Sequence, residues 1–139
     1  MEFNKIIAVT GKPGLFEILT QTKTGVIVKS IVDGKRFPIT ATHNVSLLDN
    51  IAIYTYEEEI PLGQVFKNIA AKEDGKEGIS HKESGAKLQA YFSEVLPGYD
   101  EERVYTSNIK KVVQWYNILV KANFDFASIE LATEAETEE

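Results

Sequence analysis

Cysteine is missing altogether from the 139 residues, and histidine occurs only twice. Without cysteine there is no disulfide framework and no thiolate metal site, a composition that suits a reducing cytoplasm. Long apolar runs are lacking too. No stretch is long enough to cross a bilayer, and the apolar part of the opening Met1-Glu-Phe-Asn-Lys-Ile-Ile-Ala-Val is too brief for a signal peptide. The expectation is therefore a cytoplasmic protein with no membrane partner. There is no internal repeat. The last stretch, 128–139, has no basic residue: Glu130, Glu134, Glu136, Glu138 and Glu139 give it a charge of −5 out of the total of −6. Such a segment buries too little apolar surface to order itself, and disorder is expected there. Residues 1–56 carry six bases against four acids, a net +2, and residues 57–127 carry nine against twelve, a net −3. An acidic chain of this kind argues against general nucleic-acid binding, although its first third is mildly basic.

What is present is a β-branched run, Val26, Ile27, Val28, Ile31 and Val32, followed at once by Asp33-Gly34 and the return Lys35 to Thr40. β-Branched side chains fit a pleated strand better than a helix, and Asp-Gly supplies the positive φ of a hairpin turn. Pro38 marks the return as a short or edge strand. Both phases of the outgoing strand are partly apolar, as in a strand covered on two sides. Further strands are expected over Glu2–Thr10, Leu15–Gln21 and Ile51–Tyr56, with Ser46 to Asp49 as a helical turn. In the second of these, Phe16 and Ile18 belong to one face and Leu15 and Leu19 to the other. Short strands with tight turns over the first 58 residues predict a small SH3-like β-barrel.

After Glu57-Glu58-Glu59 the period changes. Leu62, Val65, Phe66, Ile69 and Ala70 recur with helical spacing behind Pro61, which suits a first helical turn. Ser80 to Glu83 fits a capping box, with Leu88, Tyr91, Phe92, Val95 and Leu96 as the stripe of a second helix that stops at Pro97-Gly98. Thr106 or Ser107 is expected to cap a third helix, whose stripe of Ile109, Val112, Val113, Tyr116, Leu119 and Val120 is widened by Trp115 and Ile118. Phe124, Phe126, Ile129 and Leu131 suggest one more docked segment. The fold class is thus α+β: a barrel over 1–58, a helical domain over 59–127 with helices near 61–72, 81–96 and 107–123, and a tail over 128–139.

Four pieces of the chain resemble one family of small bacterial proteins filed as a domain of unknown function. They are Gly11-Lys-Pro-Gly-Leu-Phe, Thr22-Lys-Thr-Gly-Val-Ile-Val, Asp33-Gly-Lys-Arg and Ser107-Asn-Ile-Lys-Lys-Val-Val-Gln-Trp-Tyr-Asn. The resemblance implies a small barrel with a helical C-terminal half and no particular activity.

The chemistry-bearing residues form no catalytic pattern. Gly11-Lys12-Pro13-Gly14 lacks the spacing of a phosphate loop, Pro13 removes an amide, and a strand follows. His43 and His81 are far apart in sequence and have no ligand-like neighbours, so no metal or other cofactor is expected. Glu57-Glu58-Glu59 and Asp100-Glu101-Glu102 precede helix starts, where the dipole favours acids, and no nucleophile has a base beside it. The remaining signal is a mixture of bases and aromatics in the barrel: Lys12, Lys29, Lys35 and Arg36 with Tyr54 and Tyr56. The expected role is a non-enzymatic interaction or scaffold module for a protein partner or self-association. A single-stranded nucleic-acid binder, with lysines tracking phosphates and tyrosines stacking on bases, is the alternative, and a small-molecule enzyme is a second one.

Overall fold

Strand β1, Ile6–Val9, holds the N-terminal half together, because it is buried on both faces. The computed structural model describes residues 3–11, 14–40 and 44–129. β2 (Phe16–Gln21), β3 (Gly25–Ser30) and β4 (Arg36–Thr40) follow as an antiparallel meander, and β5 (Val45–Leu47) returns to the free side of β1. The order across the sheet is β4-β3-β2-β1-β5. β4 and β5 are its two edges, so the sheet is open where a closed barrel was expected. Pro38 sits on edge strand β4 opposite Ile27, where a missing N–H removes little from the ladder.

The closing strand also differs from expectation. Ile51–Tyr56 does not join the five-stranded sheet; Ala52–Tyr54 becomes β6, paired with β7 (Glu59–Pro61) in a separate hairpin. The strand that pairs with β1 on its other side is β5, with Ile7 opposite Leu47 and Val9 opposite Val45. The residues read as a helical turn at Ser46–Asp49 are therefore split. Ladder pairing with β1 draws Ser46 and Leu47 into extended backbone, and a single 3-10 turn follows at Leu48–Asn50.

The Gly25–Thr40 hairpin forms in the register Lys29↔Arg36, Val28↔Phe37 and Val26↔Ile39. Its strand ends at Ser30, two residues before the end of the β-branched run, because Ser30 N–H bonds to Lys35 O and Gly34 N–H to Ser30 O. Gly34 takes the positive φ (+77°). Gly25 is required for a different reason: a Cβ there would lie 1.9 Å from the Ile39 carbonyl oxygen. In β2 the register slips between Ile18 and Thr20, a bulge that turns Leu19 out to solvent.

Among the described residues three α-helices follow: α1 (Leu62–Glu73), α2 (Gly85–Val95) and α3 (Thr106–Lys121). α2 starts later than the capping-box spacing predicts. Ser84, not Ser80, is its N-cap, accepting from Lys87 N–H at 3.3 Å; Ser80 instead closes a separate turn by accepting from Lys82 N–H at 3.1 Å. At the start of α3 the Asn108 side chain accepts from Tyr105 N–H at 2.8 Å, so Tyr105 is the N-cap, one residue before Thr106 and two before Ser107.

Two apolar cores result. The smaller lies against the sheet and joins Ile7, Val9, Phe16, Val28 and Ile39. The larger is shared between the halves: Phe3, Ile6, Leu15, Leu48 and Ile53 pack with Leu62, Phe66, Phe92, Ile109, Tyr116 and Leu119. Alternation along β1 explains both, since Ile6 faces one core and Ile7 the other. Phe124, Phe126 and Ile129 close the larger core, with Phe126 stacked on Tyr116 at a ring separation of 4.9 Å. Leu131 and the acidic residues beyond it lie outside the described residues.

Candidate binding sites

Three of the basic residues singled out above lie on one hairpin. Lys29 and Arg36 are direct cross-strand partners, and Lys35 precedes Arg36 at the turn; all three are exposed. Glu17 stands opposite Lys29 on the other side, so the row across β2-β3-β4 reads acid, base, base. Lys12 and His43 lie outside the described residues.

The two tyrosines are elsewhere. Tyr54 ends β6 and Tyr56 follows it, both in the β6–β7 hairpin and not in the sheet that carries the bases. A third segment fixes them. Thr55 bridges Tyr99, Asp100 N–H donates to Tyr54 O at 2.9 Å, and Tyr56 N–H donates to Gly98 O at 3.1 Å. The Thr55 hydroxyl accepts from Glu58 N–H at 2.9 Å and so closes the turn. The tyrosine rings therefore project from a three-way extended platform, Tyr54 39% and Tyr56 63% exposed. Around them stand Glu57, Glu58, Glu59, Glu101 and Glu102, all exposed. One cation is already seated there. The Arg103 guanidinium lies 5.3 Å from the Tyr54 ring centroid, and its Nε is 3.5 Å from the Asp100 carboxylate. An aromatic face beside a carboxylate is what a guanidinium or ammonium recognises.

The structure also assembles a polar cavity that the sequence reading missed. It has a volume of about 610 Å3 and lies between the β3–β4 turn, the α1–α2 loop and α3. Ser30 and Asp33 come from the turn, Ser80, His81 and Lys82 from the loop, and Gln114 and Lys121 from α3. Half-buried hydrogen bonds hold the loop wall in place. Tyr116 Oη donates to Lys76 O at 2.7 Å, and Asn117 both accepts from Gly78 N–H (2.8 Å) and donates to Ile79 O (3.0 Å). Tyr91 Oη donates to the Glu73 carboxylate at 2.5 Å. Burial, then the Glu73 hydrogen bond, pushes the Tyr91 phenol far above its ordinary range; burial, then the Glu73 charge, pushes Tyr116 up to about 12. Asp33 is held below the usual carboxylate range, chiefly by the Lys35 N–H that its Oδ1 accepts at 3.0 Å. The signal for this site was the polar stripe Lys110, Gln114, Asn117 and Lys121 at helical spacing on α3. It is hidden behind the stronger apolar stripe of the same helix.

A second, apolar cavity of about 610 Å3 opens against the sheet, lined by Ile7, Ile18, Val26, Ile39, Val45 and Leu47. Lys23, Thr24 and Asn50 stand at it as polar residues. Among the described residues no group of three or more His, Asp or Glu side chains is placed to hold a metal ion, and no helix is long and apolar enough to cross a membrane.

Residues 3–48 match a family model described as "Domain of unknown function (DUF5606)", and residues 51–119 match "Domain of unknown function (DUF6852)". The boundary between the two falls just before β6. The chain is similar to a protein from Bacteroides vulgatus whose solution NMR structure was determined by structural genomics. The two are 41% identical, with a TM-score of 0.75 over 89% of this chain and 90% of the other. No curated protein matches. The chain thus belongs to the family of proteins in which a DUF5606 segment is followed by a DUF6852 segment, the first forming the open sheet and the second the β6–β7 hairpin with the helices.

Proposed function

We propose that the protein is a non-catalytic interaction module whose tyrosine face binds an extended, basic segment of a partner protein. The observation that carries this reading is the setting of Tyr54 and Tyr56. Both are exposed on a platform held by backbone pairing, and residues 54–59 and 98–105 hold six carboxylates with Arg103 as their one base. Exposed aromatics on a rigid backbone make good anchors, because little side-chain freedom is lost on binding. Surrounding acids select a cationic partner and repel a phosphate backbone. Arg103 over Tyr54 is an internal example of the contact, and the more open Tyr56 ring offers the neighbouring place. The open strand order, with the last strand folded back on the first, is consistent with a partly open SH3-like roll as the support for this face.

The test is fluorescence anisotropy on the full chain with three labelled probes: an Arg/Lys-rich peptide, its Glu-substituted counterpart and a mixed-sequence single-stranded oligonucleotide. The basic peptide should bind and the acidic one should not. Tyr56→Ala should weaken binding about fivefold, the ~1 kcal/mol of a cation–π contact, while Tyr56→Phe retains most of it. Equal binding by wild type and Tyr56→Ala would reduce the face to non-specific charge attraction. Oligonucleotide binding lost on Lys29→Glu would shift the function to the β3–β4 hairpin and overturn the reading.

A further inference from the structure

The polar cavity between the β3–β4 turn and the helices has features that general folding does not require. Its loop wall, residues 74–84 between α1 and α2, is pinned at Lys76, Gly78 and Ile79 by side chains of α3. Gly78 has no room for a side chain, since a Cβ would lie 2.7 Å from Tyr91 Oη. This wall is therefore fixed before any ligand arrives, which removes ordering cost from binding. Into the cavity it presents His81 and Lys82, and α3 presents Gln114; the side chains of these three have no hydrogen-bond or ion-pair partner among the described residues. His81 and Gln114 are half-buried, so they are withdrawn from part of their water without protein replacement. From the opposite element, the β3–β4 turn, comes the carboxylate of Asp33. The other two charges at the cavity, Glu77 and Lys121, face each other at 3.7 Å and largely cancel.

From this we infer that the cavity is a site for a small zwitterion of the α-amino-acid class, with its ammonium at Asp33 and its carboxylate at Lys82 and His81. A simple anion entering here meets Asp33, and a simple cation meets Lys82. Only a ligand carrying both charges satisfies both walls, and the Gln114 amide can donate or accept between them. The volume of about 610 Å3 lies within the usual range for small-molecule sites, roughly 300–1,000 Å3. The position, at a junction of two structural units, is also a common one for such sites. The site is separate from the tyrosine face, and the two readings stand or fall independently.

The experiment is an amide-resolved NMR titration of the full chain with L-amino acids supplied singly through the millimolar range, and with acetate and methylammonium as half-ligands. Saturable shifts are expected at Asp33, Gly78, His81 and Gln114 with at least one amino acid. Either half-ligand should bind at least about tenfold more weakly. Asp33→Asn, which retains an oxygen to accept from Lys35 N–H, and Lys82→Gln, on an exposed unpaired side chain, should each weaken binding about tenfold. The dispersion of the same spectra reports that both variants are folded. Acetate matching the amino acids would make this an anion site and overturn the assignment. Absence of saturable shifts with every amino acid would overturn it as well.

Discussion

Tyr116 shows how one side chain can join packing to polar architecture. Its ring is fully buried against Phe66 and Phe126, and its hydroxyl reaches the Lys76 carbonyl of the α1–α2 loop. Tyr116→Phe keeps the ring but leaves that carbonyl without its donor, and should cost about 1–2 kcal/mol in chemical denaturation. The phenol also makes stability depend on pH. In the unfolded chain it ionises near pH 10, whereas in the folded protein burial holds the proton up to about 12 and Tyr91 is raised further. Ionisation therefore favours the unfolded chain first. Stability from these groups is intact below about pH 10 and is lost as the pH rises from there towards 12. Melting temperatures should be flat up to that point and then fall, with a shallower fall in the Tyr91→Phe, Tyr116→Phe double variant.

At the scale of elements, glycine positions and caps separate what looks similar in sequence. Gly25 and Gly34 flank the same hairpin, yet they fail differently on substitution. Gly25→Ala drives a Cβ into the Ile39 carbonyl and must break or shift the β3–β4 ladder. Gly34→Ala meets only the Lys29 Cε, at an ordinary contact distance of 3.9 Å, and carries chiefly the cost of positive φ, about 1 kcal/mol. Thermal denaturation should rank Gly25→Ala as the more damaging by at least about 2 kcal/mol. At α2 the cap is Ser84, so Ser84→Ala should cost about 1 kcal/mol. Ser80→Ala, at the exposed turn upstream, should cost less than half as much. The Ser-x-x-Glu spacing at Ser80 is present, but the glycine and polar residues around it give no apolar face to bury, so the helix starts where the stripe starts.

On the scale of the molecule, the two family segments share one core. Phe3, Ile6, Leu15, Leu48 and Ile53 come from the first 56 residues and have their cover in the helices. A fragment ending at Tyr56 exposes those residues and should give a poorly dispersed NMR spectrum; a well-dispersed one would show that the sheet folds alone. At the other end, Ile129 is 2% exposed and packs with Phe124 and Phe126 in the same core. Truncation after Asn123 removes all three and should lower stability by several kcal/mol. Truncation after Leu131 removes only charged, low-complexity sequence and should leave the melting temperature nearly unchanged.

The local patterns were legible without a structure. Helical spacing gave three helices, with ends within a few residues for α1 and α3; the β-branched run and Asp33-Gly34 gave the β3–β4 hairpin; Phe16 and Ile18 fall on the face opposite Leu15 as expected, but Leu19, expected to share the Leu15 face, is turned to solvent by the bulge. These depend on periodicity and turn chemistry, which act between near neighbours in the chain. Strand partnership does not. Val45–Leu47 and Ala52–Tyr54 are both short and apolar enough to pair with β1, and only packing of Leu48, Ile53 and Leu62 in the shared core decides that the former does and the latter turns to β7. The same holds for the sites. Sequence placed the bases and tyrosines on one surface because they lie in one half of the chain, but hydrogen bonding to residues 98–100 carries Tyr54 and Tyr56 into a carboxylate-rich setting. Asp33, His81 and Gln114 lie on three different elements and become one cavity only when the tertiary core draws the hairpin turn, loop and α3 together.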